Sequence, residues 1–481
     1  MSTAPVRRQM SVTTVSMLIV TTTFGFANVP DNLVELKLTA ILSWVAVGFL
    51  YFLPLALILA EFASDTTESG GIYSYMERGL GATWAFVGAW SYFVANLVYL
   101  QSVFSRLPIR ISLAVTGVDV FTTATVLLPP LGLLLCLAST YVASRGVKVF
   151  SHFADWIGKA SLVQIGVLVI VPVVAVGLHL RPSATTYSAA ALVPRLDVQY
   201  FATFSWLLFA VSGAEVAAPY VRETRDPRRS FPRAILISTL LIGLVYVLST
   251  IATTLVWPLD RLTKATGIYD VWVGWAQMIG LPGPLVGRVS TMFLVISSIA
   301  AYVIWLESPL RVMFAEAPRG TFPSRLTSAD ASGTHQFALW TQAAVVSALI
   351  LVPLLSIVAG LKGSEAFISL LNDLSSLSLV IPFVFIALAY IRARRQGMRA
   401  PFQMTQSTPL AVAIGILVLV VSAAAYFGAG LHALMAEPID WTYVGIVYGG
   451  PLLLIGLGVI VRALSMRALR AASSTLGSAS G

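Results

Sequence analysis

Hydrophobic positions in this chain do not alternate with polar ones. They come in unbroken runs, such as residues 127–142, 162–178 and 236–257. Crossing the hydrocarbon core of a bilayer takes about 20 apolar residues in a helix, and these runs have that length. A membrane β-barrel would instead show short segments of strict alternation. The pattern predicts about 12 membrane helices. They fall at about 11–36, 38–61, 82–105, 124–143, 153–179, 198–221, 232–257, 285–315, 336–358, 365–392, 408–431 and 441–464. The first and sixth runs are interrupted by polar and small residues. Between the seventh and eighth, RLTKATGIYDVWVGWAQMIG (residues 261–280) is amphipathic and is expected to form a short surface helix over an entrance. The tail SSTLGSASG is of low complexity and is expected to be disordered.

Composition narrows the class. Of the 481 residues 57% are hydrophobic and 11% charged, against about 25% charged in a soluble domain. The lipid bilayer is therefore the first partner. A net charge of +9 raises nucleic acid, but the basic residues have a simpler use. With the N-terminus inside, the inner segments hold about twice as many lysines and arginines as the outer ones, the bias that orients membrane proteins. This predicts an integral protein of the cytoplasmic membrane with both termini cytoplasmic, and no nucleic-acid role. The first run reads as a retained helix rather than a cleaved signal peptide. One cysteine, Cys136, excludes an intrachain disulfide or a cysteine metal site. His152, His179, His335 and His432 lie at predicted helix ends or loops without metal-ligand spacing. No metal, no cofactor and no enzymatic centre is expected, and no phosphate-binding loop signals an ATP-driven pump. A channel remains the alternative of another class. Nothing in the sequence sets an oligomeric state.

The interruptions carry the functional signal. TTTFGFANVPDN (residues 21–32) places Gly25, Asn28 and Pro30 inside the first helix, and VSGAEVAAPY (residues 211–220) places Ser212, Gly213, Ala214 and Glu215 inside the sixth. Irregular backbone at membrane depth is tolerated where it is buried in protein or lines a wet cavity. Paired breaks at corresponding positions of two halves point to a secondary transporter with inverted repeats. Residues 11–180 form the first repeat, 198–392 the second, and 408–464 two additional helices, flanked by cytoplasmic tails at 1–10 and 465–481. Half-helix N-termini offer free N–H groups to a carboxylate, and half-helix C-termini offer carbonyls to an ammonium. An amino acid carries both. Gly25, Phe26, Ala27, Asn28, Ser212, Gly213, Ala214 and Glu215 are the candidate substrate-binding residues.

Two motifs resemble a known family. YFLPLALILAEFASDTTESGGIYSYMERGLG (residues 51–81) and GAEVAAPYVRETRDPRRSFPRAI (residues 213–235) are similar to the second helix with its loop, and to the sixth helix with its exit, in the amino acid–polyamine–organocation superfamily. SPLRVMFAEAPRGTFPSRL (residues 308–326) resembles that family's eighth-helix exit. FGFANVP in helix 1 is most similar to the glutamate/γ-aminobutyrate antiporter branch, although Gly25-Phe26-Ala27-Asn28 replaces the smaller Gly-Ser-Gly of many members. The resemblance implies an all-α, LeuT-like 5+5 inverted repeat plus two C-terminal helices. It also implies alternating access by a bundle of helices 1, 2, 6 and 7, with antiport or proton-coupled symport of an amino acid or related amine. A polyamine or organic-cation permease of the same fold is the other reading.

Charged residues within the runs each need a reason, because insertion costs roughly 2.5–3.5 kcal/mol apiece. Glu215 is a candidate for substrate ammonium, for proton coupling, or for satisfying freed backbone N–H groups. Lys159 resembles in position a helix-5 lysine of proton-coupled members, which stands in for the sodium ion of sodium-coupled relatives. Its other reading is a lysine reaching the interface beside Asp155. Glu61, with Arg222 and the basic residues up to Arg233, forms an inner gate or a structural ion pair. Glu307 has Arg311 one turn on, and Asp373 lies on a polar stripe. Phe209, Trp206 and Trp305 are the candidate gating aromatics.

Overall fold

The computed structural model describes residues 10–65, 71–122, 125–314, 321–358, 364–435, 439 and 441–478. The first repeat contains α1 (Val12–Thr23), α2 (Asn28–Leu36), α3 (Thr39–Asp65), the short α4 (Ile72–Leu80), α5 (Ala82–Thr116), α6 (Leu128–Ala143) and α7 (Val147–Gly177). The second contains α8 (Val198–Ala210), a 3-10 segment (Ala214–Glu223), α9 (Pro227–Val256), α10 (Gly267–Met278), α11 (Gly283–Phe314), α12 (Gln336–Val358) and α13 (Ser364–Arg395). Two further helices, α14 (Thr408–Ala429) and α15 (Trp441–Ser478), complete the chain. Among the described residues the single β pairing is a parallel bridge between Met10 and Thr224.

Local chemistry sets the ends. Ser11 and Asp197 cap α1 and α8, their side-chain oxygens accepting from the N–H of Thr14 and Tyr200. Pro30 starts α2 rather than breaking it. It sits in the first turn, where its missing N–H has no intrahelical partner to lose. The break lies just before, at residues 24–27, and α2 bends 45° from α1.

Among the described residues ten helices are long and apolar enough to cross a membrane, and the bent pair α1 and α2 makes an eleventh. At 35 residues, α5 is about 52 Å long and can serve as a twelfth. Its length corrects the expected end at 105. It runs on to Thr116, so Arg106 and Arg110 belong to the helix and not to a loop. The sequence LPIRISLAVT after Arg106 keeps buried Leu107, Leu113 and Ala114 on one face, which sustains the helix through Pro108. A second difference concerns the C-terminus, where α15 continues to Ser478 rather than ending at 464. Its alanines, leucines and arginines are strong helix formers. The amphipathic 261–280 segment forms α10 over Gly267–Met278, packed on α11.

One packed group joins α1, α3, α9 and the 3-10 segment, while α5 packs along α11 and α13, and α13 along α14. Gly213 is where the two breaks touch. Its φ of +141° suits only glycine, and a Cβ there would lie 2.4 Å from Thr23 Oγ1.

Candidate functional site

Between these groups lies a cavity of about 170 Å³. That is below the roughly 300–1,000 Å³ of sites for drug-sized ligands and suits a small metabolite. The first break supplies a continuous stretch of its wall, from Thr21 through Gly25, Phe26, Ala27 and Asn28. From the second break Ala210 and Ser212 line it, with Phe209 and Trp206 about one and two turns before Ser212 on α8. The backbone N–H groups of Phe26 and Ala27, at the N-terminal end of α2, have no hydrogen-bond partner among the described residues. They form the positive end of the α2 helix dipole.

Gly213, Ala214 and Glu215 do not line the cavity. Glu215 is 1% exposed and turns back on its own half-helix. Its Oε2 accepts the Gly213 N–H at 2.9 Å, and Oε1 accepts from the Tyr92 hydroxyl at 3.4 Å. No lysine or arginine among the described residues is within ion-pair distance. This glutamate therefore does for the second break what an incoming carboxylate would do for the first.

The hydroxyl of Tyr246, on α9, joins the two breaks. It lies 3.1 Å from Thr23 O and 2.9 Å from Ala210 O, the last carbonyls of α1 and α8. It also accepts from Gly25 N at 3.2 Å and Asn28 Nδ2 at 3.1 Å. The Trp305 indole donates to Thr22 O at 3.1 Å, and Asn96 Nδ2 donates to Trp305 O at 3.0 Å. Trp305 is thus a strut under the α1 end as well as a wall of the cavity. Tyr99 meets Phe209 at 5.3 Å and Trp305 at 5.1 Å, both edge-on, so three aromatics form one side. Lys264 Nζ sits 4.3 Å over the Trp206 ring and pairs with Glu35 of α2.

Sequence reasoning missed the charged lining. Asp31, Arg106 and Arg110 are the acidic and basic side chains of the cavity wall. Arg106 lies 3.9 Å from Asp31. Arg110 donates to the Tyr302 hydroxyl at 3.2 Å and has no carboxylate within 4.0 Å among the described residues. The wall therefore carries one net positive charge. The signal available was the apolar spacing after Arg106, which extends the helix past a standard span.

Two predicted charges lie elsewhere. Lys159 does not meet the cavity. Its side chain is 54% exposed and pairs with Asp155 at 2.7 Å, one turn back on α7. The residue against α1 is Gly158, where a Cβ would lie 2.8 Å from Thr21 Oγ1, so the 100° step of the helix turns Lys159 away. Glu61 is buried and finds its cation on α13 rather than in the 222–233 cluster. Arg394 Nη1 donates to Oε1 at 2.8 Å and the Tyr390 hydroxyl to Oε2 at 2.8 Å. The side chains of Arg222 and Asp373 lie outside the described residues.

The face that carries Met10 is held together by a second ionic group. Arg311 pairs with Glu307 one turn before it on α11 and with Glu223 at 2.8 Å, and Tyr220 donates to Glu307. Ser308 Oγ donates to Val216 O at 2.7 Å, and Met10 exchanges backbone hydrogen bonds with Glu223 and Arg225 at 2.9 Å each.

Comparison with known proteins matches residues 10–451 to a family model described as amino acid permease. The chain is 27% identical over 394 residues to the aspartate/glutamate permease AcaP of Lactococcus lactis subsp. cremoris, covering 79% of each chain. It is 26% identical over 491 residues to the inner membrane transporter YjeM of Salmonella typhimurium, covering 92% of this chain and 94% of that one. Among solved structures, MhsT in complex with L-phenylalanine aligns with a TM-score of 0.61 at 15% identity, over 88% of this chain and 99% of that one. At that identity the likeness speaks for the fold, the LeuT-like arrangement of two five-helix repeats.

Proposed function

The chain belongs to the amino acid permease family, and from that premise we propose that it carries an acidic amino acid, by alternating access through the cavity between its two broken helices. It is a secondary transporter and not an enzyme. The observation that carries the finer reading is Arg110, a cation in the cavity wall whose one hydrogen-bond partner among the described residues is the neutral Tyr302 hydroxyl. The substrate α-carboxylate would sit on the Phe26 and Ala27 N–H groups. The ammonium would point to the negative end of α8, and the side-chain carboxylate to Arg110. AcaP, named an aspartate/glutamate permease, supports the same charge class. A polyamine fits poorly, because the wall offers it one carboxylate, Asp31, already beside Arg106. We place the Met10 face in the cytoplasm of a cell with this protein in its plasma membrane, on the distribution of arginines. Glu215, buried and without a cation partner among the described residues, is the proposed proton carrier.

The test is counterflow in proteoliposomes preloaded in turn with glutamate, γ-aminobutyrate, neutral amino acids, arginine or putrescine, with and without a pH gradient. Glutamate or aspartate should drive labelled uptake best. Arg110→Gln should cut that uptake by about 10- to 100-fold, the loss of one charge-assisted hydrogen bond, while the variant inserts normally. Preference for putrescine or arginine in the wild type, or full glutamate exchange in Arg110→Gln, would sink the reading. Flux that never saturates and shows no counterflow would mean a channel instead.

A further inference from the structure

The carbonyls of Thr23 and Ala210 end two half-helices and aim at one point. Each carries the negative end of a helix dipole. Converging half-helix C-termini in a transporter of this architecture are the arrangement that coordinates a sodium ion or a proton. Here the point is filled by the Tyr246 hydroxyl. A hydroxyl has one proton and two lone pairs. The proton serves the two carbonyls, and the lone pairs accept from Gly25 N and Asn28 Nδ2. Its hydrogen-bonding capacity is used up. The ring cannot swing aside. Tyr246 is 0% exposed, stacks on Trp44 at 4.3 Å with 7° between planes, and meets Phe24 at 4.9 Å.

We propose that the Tyr246 hydroxyl takes the place of a bound cation between the two broken helices and thereby positions the substrate-binding backbone of the first break. Tyr246 is a positioning residue. It touches the backbone of both breaks and orients Asn28 and the Gly25 N–H beside the free donors of Phe26 and Ala27. The hydroxyl acts as a covalently attached ligand. It is present in every turn of the cycle and contributes no dependence on ion concentration. The proposal rests on the reading that the breaks line the substrate site, but its test is separable from the choice of substrate.

The experiment uses the full chain, purified and reconstituted. Thermal stability and labelled-glutamate uptake are measured with sodium, potassium or N-methylglucamine at constant ionic strength. The wild type should give the same melting temperature and the same KM in all three. Tyr246→Phe should raise KM by about 10-fold, the loss of one buried hydrogen-bonding group, with Vmax changed much less. A merely structural tyrosine would lower protein yield and melting temperature and leave the KM of the surviving protein alone, which would overturn the positioning role. Saturable stabilisation of the wild type by sodium, or uptake that requires it, would overturn the proposal whether or not Tyr246→Phe inserts. If no substrate in the panel is carried, the acidic-substrate reading fails, and the melting temperatures still decide whether sodium binds.

Discussion

The two breaks look alike in sequence and differ in what they leave open. The first, at residues 24–27, lines the cavity and leaves two backbone N–H groups without partners among the described residues. The second, at residues 211–213, has its donors taken, those of Val211 and Ser212 by the Phe209 carbonyl and that of Gly213 by Glu215. One break is a socket and the other carries its own plug. Equivalent positions in an inverted repeat therefore need not share a job. A glutamate two residues past a helix break can serve as internal capping of that break.

The sharpest way to break this contrast is to put a methyl group on each hinge. Gly213→Ala would force an alanine to φ +141° with its Cβ 2.4 Å from Thr23 Oγ1. Backbone strain of about 1–3 kcal/mol adds to that clash, and transport should disappear in a protein that still reaches the membrane. Gly25→Ala meets only the Asn28 amide at 3.1 Å and should keep most of its activity. Equal effects at both glycines would show that the breaks are equivalent after all. Glu215→Gln is expected to have a smaller effect. It keeps an oxygen for the Gly213 N–H and removes the titratable carboxylate, so exchange at fixed pH should survive while stimulation by a pH gradient falls. An unchanged response to the gradient would take Glu215 out of coupling. Lys159→Gln should do least. The pair with Asp155 is half exposed and such pairs contribute about 0–1 kcal/mol, so KM and pH response should stay within about 2-fold of wild type. A large loss of pH response would restore Lys159 as a coupling group.

How much of this was legible beforehand follows from the range of each interaction. The apolar runs mark the spans because the bilayer acts on each stretch of chain separately. The polar interruptions mark both breaks, and the amphipathic 261–280 stretch marks α10, for the same local reason. Glu61 was recognisable as a charge needing a partner, but Arg394 is 333 residues away, and a chain offers many arginines. Tyr246 gave no local sign. In an apolar helix it reads as one more aromatic, and its function is set by four atoms from two other segments. Arg106 and Arg110 were hidden by a length assumption, since cutting the helix at a standard span moved two cavity residues into solvent.

The ionic group at the Met10 face has a consequence for energy conversion. Glu223, Arg311, Glu307 and Tyr220 hold one another, and Arg311 is 7% exposed. Separating one member would strand a charge in a low-dielectric surrounding, which is strongly unfavourable. The group must therefore come apart as a unit or stay shut. A barrier of that all-or-none kind resists partial opening, through which protons or small ions would slip across without cargo. If this face is a gate of the carrier, tight stoichiometry would in this sense be a property of its closed door, set by four side chains outside the cavity wall.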